Sequence, residues 1–188
     1  PGLFTMEDLV KAVEDDFLDA ARGSTDNRKG WTITAVSVPR GESFAEARMS
    51  IEDVHAALAK GTVILNAAGA HIPKLAGPSL AVTDATFLPC ALNLYVTAAG
   101  MRTSAPPHTD QQDVAVVQTS GRKHWKVFAP PDPALKPAVD LFARGKLDDS
   151  LPLYSLSETS ELLLETTLNP GDALFIPAGF PHTTSTVT

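Results

Sequence analysis

One cysteine, Cys90, is all the chain holds, so no internal disulfide can brace it, and a reducing compartment suits it best. No apolar run reaches the length that crosses a bilayer, which excludes a membrane partner of the helical-span kind. The first residues carry Glu7 and Asp8 where a secretory leader would carry a basic cluster. Together these shortages predict an intracellular protein, cytoplasmic or nuclear. A start at Pro1 is not expected to be a native one, which leaves room for a targeting segment removed from before it. Basic residues are scarce as well. With 15 Lys and Arg against 22 Asp and Glu, the net charge of −7 argues against direct nucleic-acid binding and suits a basic protein partner. What remains, 44% apolar and 20% charged over 188 residues, is the make-up of an ordinary globular protein. We expect a single domain over 1–188, with helical and strand elements in 1–90 and a β-barrel core in 91–188.

The N-terminal part reads mainly as helix. Thr5 caps a helix running to about Arg22, with Leu9, Val10, Val13, Phe17 and Leu18 on one face. Gly23–Gly30 breaks it, and Trp31–Val38 alternates as a strand does. Ser50 caps a second helix, Ile51–Lys60, stopped by Gly61. Thr62–Leu65 is a short buried strand, and Ala70–Asp84 is a further helix packing through Ile72, Leu75 and Leu80.

From Ala91 on, short strands and turns take over. Strands are predicted over Ala91–Thr97, Val114–Thr119, Lys123–Phe128, Glu161–Leu168, Ala173–Ile176 and His182–Thr188. Ser120-Gly121 reads as the turn of a hairpin, and Asn169-Pro170-Gly171-Asp172 as a tight turn. Residues 129–160, rich in proline and polar residues, read as an insertion that forms a lid or binds a partner. Helices followed by many short strands predict a mainly β fold, a jelly roll or small barrel with a helical N-terminal part.

Within this frame, Pro107-His108-Thr109-Asp110 carries chemistry. Alternation along an extended chain points His108 and Asp110 the same way. One more histidine from a distant strand would complete two nitrogens and one oxygen on one face of a metal, the facial triad of non-haem Fe(II) oxygenases. His182, in Pro177-Ala178-Gly179-Phe180-Pro181-His182, is the candidate. An HxD alone is a weak signal, and each residue also has an ordinary reading. Lys123 could be an exposed turn lysine, yet its same-face neighbours Trp125 and Val127 are apolar, and an inward lysine needs an anion. His55, His71 and His124 read as packing or surface residues, and Cys90 as a small core residue.

NLYVT, APPHTD, GRKHWKVF and NPGDALFIPAGFPH resemble the Jumonji-C (JmjC), cupin-type oxygenases, and most closely their ribosomal-oxygenase branch. The resemblance spans about Ser50–Thr188. It implies a double-stranded β-helix, Fe(II), 2-oxoglutarate as co-substrate, and hydroxylation of a protein side chain. It also implies that His108, Asp110 and His182 are metal ligands and catalytic residues. The co-substrate lysine falls on Lys123, 13 residues after Asp110 (123 − 110), and Asn93 and Tyr95 line the co-substrate pocket. Thr109 and Ala178 depart from the family's aromatic and basic residues at those places, and the last barrel strand has no counterpart. The substrate implied is a basic protein, ribosomal or histone. Asp148, Asp149, Glu158, Glu161 and Glu165 could steer it in, or could merely be solvated surface. Lysine demethylation of a histone, a metal-dependent cupin acting on a small molecule without 2-oxoglutarate, and a non-catalytic module stay open beside it.

Overall fold

Reciprocal caps start the first two helices. The Thr5 N–H donates to Asp8 Oδ2 (2.8 Å) and the Asp8 N–H to Thr5 Oγ1 (3.3 Å), opening α1 (Met6–Glu14). Ser50 and Asp53 exchange the same bonds at 2.8 and 3.2 Å to open α2 (Ile51–Leu58). Each pair satisfies amide donors that a first helical turn leaves unbonded. The computed structural model describes residues 2–14, 30–35, 38–43, 50–110, 112–130 and 160–186, with backbone alone over 30–43. The rest of the first predicted helix, including Phe17 and Leu18, lies outside these, as do 131–159 of the predicted insertion. Among the described residues no helix is long and apolar enough to cross a membrane.

The described residues group into two compact units, one drawn from Leu3–Thr34 and Gly41–Ala98, the other from Ala35–Arg40 and Ala99–Thr188. In the first, β1 (Gly30–Ala35), β2 (Val38–Ser43), β3 (Thr62–Asn66) and β4 (Leu94–Val96) form a sheet in the order β2-β1-β3-β4. β3 runs antiparallel to both neighbours and is buried along Thr62–Leu65, as its apolar run predicts. Leu9, Ala12 and Val13 of α1 and Val54 and Ala57 of α2 pack with Val63 and Leu65 into one core. β4 is shorter than the expected Ala91–Thr97.

The helix expected over Ala70–Asp84 is divided into α3 (Ala68–His71) and α4 (Pro73–Thr86). Proline disfavours the helical conformation in the residue before it, and Ile72 is extended (φ −107°, ψ 109°). Ile72 and Leu75 are buried, but Leu80 is 63% exposed, contrary to expectation. At about 3.6 residues per turn, a residue five places on lies about 140° round the helix. His71 thus ends a helix of its own, and Cys90 is half-buried outside the core.

The second unit is the β part. β5 (Ala105–His108), β10 (His182–Ser185), β7 (Lys123–Phe128) and β8 (Leu162–Leu168) form one antiparallel sheet in that order, and β6 (Val114–Val117) pairs with β9 (Ala173–Ile176) in a second. The chain passes between the sheets at every step from β5 to β10 except β7 to β8, which pair with each other, an arrangement that matches the jelly-roll fold class expected. It overturns the hairpin at Ser120-Gly121. Both edges of β7 are taken, one by β8 and one by β10, so no edge is left for β6. At the β8–β9 turn the Asp172 N–H donates to Asn169 O (2.9 Å) across Pro170-Gly171, with Gly171 at φ +98°, where a side chain would be strained. Trp125, Val127, Leu168 and Ile176 make the interior, with Val116, Leu174 and Phe180 against them.

The Ser50/Asp53 cap gives a testable consequence. Replacing Ser50 by Ala should lower the unfolding free energy by about 1 kcal/mol, read from denaturant titration. The Ser50 N–H, and then its hydroxyl, hold the Asp53 carboxyl below its ordinary 3.8. A depressed carboxyl contributes stability above its unfolded pKa and loses it as pH falls through the folded one. The Asp53→Ala penalty should therefore be full at pH 7 and fade below about pH 4; a penalty independent of pH would contradict the cap.

Candidate metal centre

The site is built where β5 ends and β10 begins. His108 is the last residue of β5 and stands opposite His182, the first of β10. Their rings lie 4.2 Å apart, centroid to centroid, tilted by 58°. Asp110 lies two residues beyond the strand, yet its carboxylate turns back as alternation predicts. Asp110 Oδ2 is 4.0 Å from His108 Nε2 and 3.6 Å from His182 Nε2. One ligand atom from each of the three residues lies within 4.8 Å of the others. Both histidines are buried at 3% exposure, and Asp110 is nearly so.

Each ring is held by a bond to its own chain. His108 Nδ1 donates to Pro106 O (2.7 Å) and His182 Nδ1 to Phe180 O (3.0 Å), in both cases the carbonyl two residues earlier. A carbonyl can only accept, so Nδ1 carries a proton, and in the neutral ring the lone pair is left on Nε2, the nitrogen on the side of Asp110. The two histidines share a local sequence, Pro106-Pro107-His108 and Phe180-Pro181-His182. That repeated x-Pro-His unit is legible in the sequence itself.

The turn before His182 fixes the third candidate ligand. Gly179, at φ +80°, donates its N–H to Asp110 O (2.9 Å), and Ala178 N–H donates to Asp113 Oδ1 (2.8 Å). Phe128 N–H donates to Pro181 O (2.8 Å), tying the same turn to β7. The buried Ser104 and Thr184 hydroxyls bond at 2.7 Å, and Thr183 Oγ1 donates to Ala105 O (2.8 Å), locking β5 onto β10. Thr109, between His108 and Asp110, is fully buried.

Lys123 opens β7, half-buried, on the face shared by Trp125 and Val127. His124 and Lys126, on the other face, both reach Glu165 Oε1, at 3.0 and 3.2 Å. Lys126, and then His124, hold the Glu165 carboxyl below the usual range, so Glu165 is an engaged charge and no spare one for steering. Asp148, Asp149 and Glu158 lie outside the described residues. Asn93 and Tyr95 belong to the first unit. Asn93 Oδ1 accepts the N–H of Ala67 (2.9 Å), itself left-handed at φ 52°, and Tyr95 is 38% exposed, paired with Ile64.

Known proteins resemble this chain in sequence and in fold. The family described as the JmjC domain matches residues 81–188. The bifunctional lysine-specific demethylase and histidyl-hydroxylase NO66 of Aedes aegypti is 38% identical over 95 residues, 50% of this chain and 13% of that protein. The chain thus spans a small part of the curated relative it matches. The X-ray structure of E. coli ycfD superposes over 90% of this chain and 41% of its own, with TM-score 0.57 and 21% identity. A structure of the same E. coli protein, described as a ribosomal oxygenase in complex with cobalt and succinic acid, does so over 90% and 39%, with TM-score 0.50 and 22% identity.

The carbonyl clamps make a prediction about the metal-free protein. At pH 8, long-range ¹⁵N–¹H spectra should show His108 and His182 as Nδ1–H tautomers, against the Nε2–H form that free histidine prefers. Either ring found as Nε2–H would refute the inward lone pair.

Proposed function

Because the chain belongs to the JmjC domain family, we propose that it is an Fe(II)- and 2-oxoglutarate-dependent oxygenase that hydroxylates a side chain of a basic protein, in first place a ribosomal one. The observation that carries this reading is the convergence of two Nε2 lone pairs and one carboxylate oxygen within 4.8 Å inside a jelly roll. Two imidazole nitrogens and one carboxylate oxygen suit a divalent iron that keeps other positions for ligands. The donor set therefore fits the metal. When bound, Fe(II) supplies the oxygen activation that no side chain can perform.

The chain's own residues do the rest. His108, Asp110 and His182 hold the metal, and the Pro106 and Phe180 carbonyls orient the two rings and raise their basicity. Gly179, bonded to Asp110 O, fixes the carboxylate's place beside them. Lys123 pairs with the far carboxylate of 2-oxoglutarate from the interior face of β7. Trp125, Val127 and Ile176, all buried, keep water from the reacting centre. The substrate assignment draws on the described activities of the relatives, a histidyl-hydroxylase and a ribosomal oxygenase, and on the net charge of −7. The demethylase activity in the name of the Aedes relative keeps demethylation as the second reading. We read 1–188 as one domain, since the family match at 81–188 runs through both compact units.

Two variants and one search test the proposal. His182→Ala should lower Fe(II) or Co(II) affinity by more than about 100-fold, beyond what loss of an outer partner costs; unchanged metal content would remove the site. Lys123→Ala should weaken 2-oxoglutarate about 10- to 100-fold by calorimetry while metal binding persists, the loss of one charge-assisted pair. Equal affinity would favour a cupin that does without this co-substrate. Mass spectrometry of basic ribosomal peptides after turnover should show a gain of one oxygen; loss of a methyl group instead would select demethylation.

A further inference from the structure

Trp125 carries a feature that packing does not explain. Its side chain is 8% exposed, and among the described residues its Nε1–H is a buried donor with no hydrogen-bond partner. A buried N–H without an acceptor is costly, and such groups are seldom left so in a finished site. The nearest cross-strand hydroxyl on β10, that of Thr184, is already bonded to Ser104 Oγ at 2.7 Å. The indole also stacks on His182, centroids 5.9 Å apart and planes 28° from parallel.

Its place along β7 suggests the missing acceptor. Lys123, Trp125 and Val127 share one face, and Val127 is the partner of His182 across the sheet. At about 3.3 Å rise per residue, Trp125 lies about 6.6 Å along the strand from each neighbour, midway between the lysine and the level of His182. A five-carbon keto diacid held by Lys123 at one end and by the metal ligands at the other must run past the indole.

We propose that Trp125 Nε1–H donates a hydrogen bond to an oxygen of the bound keto diacid, making Trp125 a specificity-determining contact for the co-substrate. This rests on the 2-oxoglutarate reading given above. It also accounts for tryptophan at this point, since phenylalanine would stack on His182 equally well but has no donor.

The test uses Zn(II)-loaded protein, in which nothing turns over. Calorimetry with 2-oxoglutarate should show Trp125→Phe weakened about tenfold, with Zn(II) affinity unchanged. In a Trp31→Phe background, leaving Trp125 as the sole indole, the Nε1 proton should move downfield when 2-oxoglutarate is added. No heat with the wild type would overturn the co-substrate reading and this assignment together. A loss in Lys123→Ala but none in Trp125→Phe would overturn this assignment alone, leaving the indole bonded to a structural water. Should Trp125→Phe fail to fold, the indole shift decides: an unmoved proton refutes the contact.

Discussion

The antiparallel pairing of β5 with β10 is the constraint from which the site follows. It sets His108 directly opposite His182, two residues 74 positions apart (182 − 108). A slip of one residue would turn every side chain of β10 to the other face and send His182 out of the site. The register is pinned from several directions at once. Ser104 bonds Thr184 through side chains, Met101 and Thr186 exchange bonds just beyond the strand ends, and Thr183 holds Ala105 O. β10 is also a central strand, paired with β7 on its other edge.

Polar groups are costly to bury, and this site buries two imidazoles beside a nearly buried carboxylate. The chain offsets part of that cost with its own backbone, giving each imidazole a carbonyl and the Asp110 loop a glycine N–H. What is left over, lone pairs aimed at a common point, is the affinity available to a cation. The apolar weight sits elsewhere: the first unit has the larger continuous core, while the interior of the second combines a small apolar cluster with the polar site. The site is thus held by hydrogen bonds and register more than by apolar packing.

Charge is distributed less simply than a net of −7 implies. Glu165 is bound by Lys126 and His124 on the outer face of the sheet, and Asp8 by Lys74 at 2.7 Å. Both carboxyls are held below their usual range, Asp8 chiefly by Lys74 and Glu165 chiefly by Lys126. They act as local cross-links between elements. Attraction of a basic partner would fall to other carboxylates, and only where those lie near the opening through which it enters.

Local sequence determined a good deal by itself. The capping pairs, the Asn169–Asp172 turn, the buried Thr62–Leu65 strand and the inward face of Lys123, Trp125 and Val127 all depend on residues within a few positions of one another, so their physics can be read from the chain. The same holds for His108 and Asp110, two apart, and for the resemblance that named His182. Strand pairing could not be read this way. Ser120-Gly121 has hairpin chemistry, but β7 has only two edges, and the distant strands β8 and β10 take both. Leu80 is apolar yet exposed, because helical phase relative to Leu75 decides which side faces the core. The inward lone pairs also needed tertiary structure: x-Pro-His is visible twice in the sequence, but only the folded backbone brings each carbonyl onto Nδ1 and both Nε2 atoms toward one carboxylate. Hydrogen bonds within a turn are local, whereas edges, register and convergence belong to the whole sheet.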